Sequence, residues 1–295
     1  MGPKYPDVCH RKIKIIAHFV VCGHQNPVIG FRIADGMQAG RHHIILPADT
    51  VESNVKKEVD GWDFFDRLYC LSLREREDRR KSAVQEFSKV GLADKVEFVL
   101  GEHHPYDMEQ GVYESHMLCL RKGLEAGARN IVVFEDDIEF DRFDPERLRS
   151  CTEWLRQHPE WKVLLLGALI CASRKTTNPC VQKVRYQSLS HAYALNRNYA
   201  ETLAYVPWQG IVNDTLFRPL ADDLYAIYPM CAFQKNFTSD NYKYPKLVLF
   251  RHLLGGLKRI QKANEFYHRH KLGIYAAQVI AFLLLLFFFF RSSPP

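Results

Sequence analysis

The chain has 295 residues, 47% of them hydrophobic and 13% aromatic, enough to bury one large core or two small ones. Its formal charge of +6 comes from 40 Lys and Arg against 34 Asp and Glu, with many of the bases between Arg251 and Lys271; there is no RNA-binding signature and no basic stripe interleaved with aromatics, which argues against nucleic acid as a partner. The eight cysteines form no CxxC and no His/Cys cluster at zinc spacing, so they read as buried free thiols, with Cys171 and Cys180 able to pair only in an oxidising lumen.

Residues 1–60 read as an N-terminal extension of unknown role. "IKIIAHFVV" and "RHHIILPA" look like short strands, and His42 and His43, adjacent on a strand, would point to opposite faces rather than share a metal. The opening "MGPKYPDVCHRKIK" does not resemble a signal peptide.

From residue 61 to about 250 the pattern is regular. "RLYCLSL" reads as a strand. The charged run "REREDRRKSAVQEFSKVGL" reads as an amphipathic helix with Val84, Phe87 and Val90 on its inner stripe, closed by Gly91. "KVEFVLG" is a second strand and "MEQGVYESHMLCLRKGLEAGA" a second helix ending at Gly127. "NIVVFEDD" is a third strand, and its lack of alternation predicts burial on both faces. In "DPERLRSCTEWLRQHP", Asp144 is placed to cap and Pro145 to open a helix. "WKVLLLGALI" is a fourth strand. Strand and helix alternating at this spacing predict an α/β fold with a mostly parallel sheet flanked by helices.

The third strand runs straight into Glu135, Asp136 and Asp137. Ligands of open α/β sheets bind at the carboxyl ends of the strands. Side chains alternate there, so Glu135 and Asp137 share a face while Asp136 points away. Two carboxylates with oxygen-only chemistry suit a hard cation such as Mn²⁺ or Mg²⁺, with substrate phosphates as further ligands. The competing reading is an acidic turn in solvent.

Several of these stretches, "YCLSLREREDRR", "GVYESHMLCLRKGLEAGARNIVVFEDDIEF", "SLSHAYALNRNYAETL", "GIVNDTLF" and "YAIYPMCAFQ", resemble glycosyltransferase family 25 in order and spacing, from about Asp66 to Gln234. Val112 departs from that family, which usually has Gly-Cys before its Ser-His helix. The resemblance implies a nucleotide-sugar-binding, Rossmann-like fold of GT-A type and a metal-dependent, inverting transfer of a hexose from a UDP-sugar to a glycan, lipid-linked or protein hydroxyl. It places Glu135 and Asp137 at the metal and Asp214 as the base that deprotonates the acceptor. It places Arg79, Ser115, His116, Asp136 and Gln234 at the donor. Plainer roles stand beside these: a solvated arginine for Arg79, a core histidine for His116 and a helix cap for Asp214. Rival functions are a sugar nucleotidyltransferase, although "LSLREREDRR" lacks the glycines of a triphosphate loop, and a membrane-anchored relative that binds without catalysis.

Residues 251–271 read as a basic juxtamembrane segment with Arg251, Lys258, Arg259, Lys262, Arg269 and Lys271. Leu272 to Phe290 reads as a membrane-crossing helix of about 28 Å, followed by Arg291. The charge difference across it places the main domain in the cytosol. A Golgi or ER lumen is the alternative, and there "NDT" at Asn213 and "NFT" at Asn236 would be open to glycosylation.

Overall fold

The computed structural model describes residues 61–210, 213–220, 222–235, 237 and 245–292. The two strands expected before residue 60, the His42–His43 pair and the Asn236 sequon lie outside them.

The described residues between 61 and 292 belong to one compact unit. Its elements are β1 (Arg67–Leu73), α1 (Glu77–Lys89), β2 (Val96–Gly101), α2 (Met108–Glu125), β3 (Asn130–Glu135), β4 (Ile138–Phe140), α3 (Pro145–Gln157), β5 (Val163–Lys175), β6 (Val181–Asn196), α4 (Arg197–Leu203), β7 (Leu224–Ile227), β8 (Ala232–Gln234), α5 (Pro245–Leu253) and α6 (Leu257–Ser292). The main sheet has the order β2-β1-β3-β6-β5-β7. β1 runs parallel to β2 and β3, and β5 parallel to β7, whereas β6 is antiparallel to β3, β5 and β7. Five strands therefore share one direction and β6 alone is reversed, so the sheet is mixed but mostly parallel, as expected. β4 and β8 form a separate two-stranded ribbon.

The unbroken apolar run of β3 has the expected cause. Val132 and Phe134 pack with Ala83 and Phe87 of α1 and Leu148 and Leu155 of α3. Ile131 and Val133 pack with Tyr113, Met117 and Leu120 of α2 and Ala200 of α4. Helices cover both faces, so no position on the strand has a polar side to serve. The helix starts follow their sequence signals. The Asp144 carboxylate accepts from the backbone N of Glu146 at 3.0 Å and Arg147 at 3.4 Å, with Pro145 in the first turn. Asp107 and Asn196 cap α2 and α4 in the same way.

The expected stripe of α1 shifts by a residue. Ala83, not Val84, faces inward with Phe87 and Val90, and Val84 is exposed. On α2, Val112 is exposed while Tyr113 is buried. Among the described residues Cys70, Cys119, Cys151, Cys171, Cys180 and Cys231 are free thiols.

Residues 251–271 are not an open linker. Arg251 lies in the last turn of α5, and from Leu257 the chain enters a 36-residue helix, about 54 Å long at 1.5 Å per residue. Its first turns dock on the domain, where Lys258 pairs with Glu139 and Asp141 and Lys262 with Asp141. From Leu272 onward the apolar side chains stand exposed on successive positions, among them Phe282, Leu283, Leu284 and Leu285. Leu257–Phe288 is long and apolar enough to cross a membrane.

Candidate active site

The strand ends build a cavity of about 320 Å³. β1 contributes Leu71, Ser72 and Leu73, the end of β2 contributes Gly101 and His103, and β3 delivers the three acids. The register explains the convergence: β1 and β3 run side by side with Leu71 opposite Glu135, so Ser72 arrives beside Asp136.

Asp136 is the acid with partners. Its Oδ2 accepts from Ser72 Oγ at 2.6 Å and its Oδ1 from Arg79 at 3.3 Å. Burial raises its pKa, and the Ser72 bond and Arg79 charge hold that rise back. Arg79, nearly enclosed, also lies 5.4 Å from the Phe237 ring centroid, so it is a cavity residue and not a solvated surface arginine. Its charge is directed at Asp136.

Glu135 and Asp137 share the other side, as alternation requires. The Gln234 side-chain amide donates to Glu135 Oε2 at 3.3 Å and Asp137 Oδ2 at 3.4 Å. One neutral amide between two carboxyls leaves their charge uncompensated. Burial, then the charges of Asp214 and Asp136, push Glu135 up to about 8. Burial and Glu135 push Asp137 well above the carboxylate range. Asp137 Oδ1 is buried without a hydrogen-bond partner. An orphaned buried oxygen in an all-oxygen pair held near protonation suits a hard cation, which would restore both charges. Among the described residues no three His, Cys, Asp or Glu side chains form a ready metal-ligand set, so the pair would need phosphate oxygens and water to complete a coordination shell.

Asp214 lies in a single turn of 3-10 helix, Asn213–Thr215, at the cavity wall. Its carboxylate accepts from Ser190 N at 3.4 Å and its carbonyl from Tyr186 Oη at 2.9 Å. The cap expected of it as a plainer role is not what its side chain does. Ser115 and Gln234 also line the cavity, and Ser115 Oγ donates to Gly111 O at 2.8 Å.

His116 is corrected. It is fully buried behind Glu135 and does not line the cavity. Nδ1 meets Tyr193 Oη at 2.9 Å, the two rings are stacked, and Nε2 stands 3.3 Å from Glu135 Oε1. Burial drives its pKa down to about 3, which keeps the ring neutral. It packs behind Glu135 and supports the wall that carries it.

The sequence reading missed Ser72, Lys235, Arg251 and His252 in the cavity wall. Ser72 follows from the register of β1 on β3, which no local pattern encodes. Lys235 reaches back to Glu86 at 2.8 Å and Ser82 at 2.6 Å. Asn213 of the "NDT" sequon is buried and donates to Ser190 Oγ at 2.6 Å, so in this fold it is not accessible to a glycan.

No protein-family model matches the chain. A curated relative from Bos taurus, named "Probable inactive glycosyltransferase 25 family member 3", is 26% identical over 168 residues, covering 48% of this chain and 27% of its own length. The chain thus spans about a quarter of that relative, and the resemblance to glycosyltransferase family 25 is seen in both motifs and alignment. Solved structures with similar arrangements include A197 from STIV, at 12% identity, TM-score 0.40 and coverage of 59% of this chain and 86% of that one. A glycosyltransferase involved in the glycosylation of the major capsid of PBCV-1 matches at 11% identity and TM-score 0.34, covering 59% and 94%. A UDP-glucose pyrophosphorylase matches at 10% identity and TM-score 0.32, covering 69% and 81%.

Proposed function

We propose that the chain is a membrane-anchored glycosyltransferase that moves a hexose, galactose or glucose, from a UDP-sugar to an acceptor hydroxyl on a glycan, lipid or protein, with inversion. The observation that carries this is the Glu135–Asp137 pair at the end of a buried strand, near neutral only by protonation and with one oxygen orphaned. These two carboxylates would hold Mn²⁺ or Mg²⁺. When bound, such a cation supplies neutralising charge to the leaving nucleoside diphosphate.

The chain's own residues supply the rest. Arg79 and Ser72 fix Asp136 and so the edge of the cavity nearest β1. Gln234 holds the two cation ligands on one side. Asp214, across the wall and electrostatically coupled to Glu135, takes the proton from the acceptor hydroxyl as that oxygen attacks. Arg251 of α5 adds positive charge to the rim, suited to a diphosphate, with the His252 ring beside it.

A non-catalytic binding protein is the second reading, favoured by the relative's printed name. The acids here are all in place, which supports catalysis. The full chain in detergent micelles, given UDP-galactose and UDP-glucose with and without Mn²⁺, decides between them. Metal-dependent release of UDP supports transfer or its abortive hydrolysis. Tight donor binding with no release over hours selects the binding protein, and no binding of either donor removes the nucleotide-sugar reading.

For topology we place the domain on the cytosolic side. Lys258 and Lys262 are engaged by the domain, but Arg269 and Lys271 stand directly before the apolar stretch, where positive charge favours the cytosolic face. Protease protection in sealed membranes tests this: a domain shielded from external protease in microsomes contradicts it.

A further inference from the structure

The two halves of α6 do different things. Beyond Leu272 the helix is apolar and exposed. Between Leu257 and His268 it lies on the domain with Gln261, Glu265 and His268 inward, at 1%, 4% and 9% exposure. Polar side chains on a buried helix face are uncommon unless each has a target. Gln261 Nε2 donates to Ala232 O at 2.9 Å. Glu265 Oε2 accepts from Met230 N at 3.2 Å, and the carboxylate forms a two-pronged pair with Arg142 at 3.0 and 3.2 Å. Arg142 in turn donates to Met230 O at 3.0 Å. Asn264 takes both backbone groups of Ile170 on β5, each at 2.9 Å.

We propose that the docked half of α6 is a positioning element of the site: through Gln261 and Glu265 it fixes β8, and β8 fixes Gln234 against Glu135 and Asp137. The proposal rests on the reading of that pair as cation ligands. The path is short. β8 has three residues and one ribbon partner, β4, also of three; beyond that ribbon its entry is tied by Cys231 N donating to Leu166 O and Cys231 O accepting from Asp141 N, each at 3.0 Å, little pairing for a strand that carries Gln234. Ala232 and Gln234 lie on the same side of it, two residues apart. Phe233 points the other way, under the cations of Arg142, Lys258 and Lys262 at 5.3 to 5.8 Å. Gln234 pairs with Ile138, the residue after Asp137, and Lys235 N donates to Asp137 O at 2.7 Å. On its sheet side, β8 presses its Ala232 carbonyl where a side chain on Gly167 would have to be, so the strand has no slack toward β5. Release from α6 is the movement open to it, and that movement withdraws the amide that bridges the two acids.

The test uses the full chain in detergent micelles and compares two substitutions on the same helix. Gln261→Met keeps side-chain volume but abandons Ala232 O. Asn264→Ala removes the two bonds to Ile170 of β5 and leaves those to β8. Hydrogen exchange of residues 230–235 and binding of Mn²⁺ alone, read by its electron paramagnetic resonance signal, are measured for both. Gln261→Met is expected to speed exchange in β8 and weaken Mn²⁺ by about 10-fold or more, the scale on which groups behind a metal ligand act. Asn264→Ala is expected to leave both near wild type. Glu265→Gln, which keeps the acceptor for Met230 N and loses the Arg142 charge pair, gives the same ordering should Gln261→Met not fold. Equal Mn²⁺ affinity in Gln261→Met and wild type, or equal loss in Gln261→Met and Asn264→Ala, overturns the proposal. A wild type that binds no Mn²⁺ sinks the cation reading instead. In that case unchanged exchange in β8 of Gln261→Met overturns the positioning role independently.

Discussion

Residues 135–141, "EDDIEFD", carry five acids in seven positions, and the two ends of this stretch have opposite fates. At its start, Glu135 and Asp137 share one neutral amide and are pushed toward protonation. At its end, Glu139 and Asp141 meet Lys258 and Lys262 of α6, and hydrogen bonds from Lys262 and Lys258 pull Asp141 down to about 2. The fold supplies two lysines to the end of the stretch, whereas the one arginine at its start, Arg79, is engaged by Asp136. Paired acids here fasten a helix; uncompensated acids wait for a ligand. That contrast locates the site better than the acidic run itself.

The comparison is broken most forcefully by exchanging roles. Asp137→Ala should lower donor turnover by more than about 100-fold, since even groups behind a metal ligand are worth 10- to 100-fold. Its melting temperature should hold or rise, because repulsion is relieved. UDP release and a thermal melt read both, and wild-type turnover removes Asp137 from the cation site. Asp214→Asn should cost about 100-fold or more in transfer, the range of a general base, with donor affinity nearly intact. Equal loss of affinity and turnover would make it a binding or structural residue.

Asp141→Asn should behave in the opposite sense to Asp137→Ala. It loses a partly exposed pairing, so stability falls by up to about 1 kcal/mol, while Mn²⁺ binding persists. A denaturant titration beside a Mn²⁺ titration checks it; a variant that loses metal but not stability would contradict the division. The pH profile of the metal-free protein separates the two ends as well. Glu135 is raised in the folded state, so the native form holds more protons than the unfolded one, and stability declines as pH climbs from the ordinary carboxylate range through about 8. Asp141 is depressed, so its contribution is present above the ordinary range and fades as pH falls through about 2. Glu135→Gln should flatten the upper decline only. A profile that rises toward pH 8 in the metal-free wild type would show that Glu135 is ionised at ordinary pH.

Much of this was legible in the sequence because it is local. β1 was read at Arg67–Leu73, and the capping Asp144, the two-faced burial of β3 and the alternation of its acids follow from neighbours within a turn or a strand. What escaped depends on register and distance. Ser72 matters because β1 lies against β3 with Leu71 opposite Glu135. Gln261, Asn264, Glu265, Lys258 and Lys262 fall in what reads as a basic juxtamembrane segment because their partners, Ala232, Ile170, Met230, Glu139 and Asp141, are far away in the chain. His116 was visible as a histidine among apolar residues, and only the packing shows it stands behind Glu135. Between His116 as ligand contact and as core histidine, composition has no means of choosing.

Glu135 and Asp137 should bind a cation that in turn binds a diphosphate. Calorimetric titration of UDP into the full chain in micelles, with EDTA and with saturating Mn²⁺, for wild type and Asp137→Asn, measures this directly. UDP should bind the wild type with Mn²⁺, and only marginally with EDTA or to Asp137→Asn under either condition. UDP binding of equal strength with EDTA, or undiminished in Asp137→Asn, would contradict it.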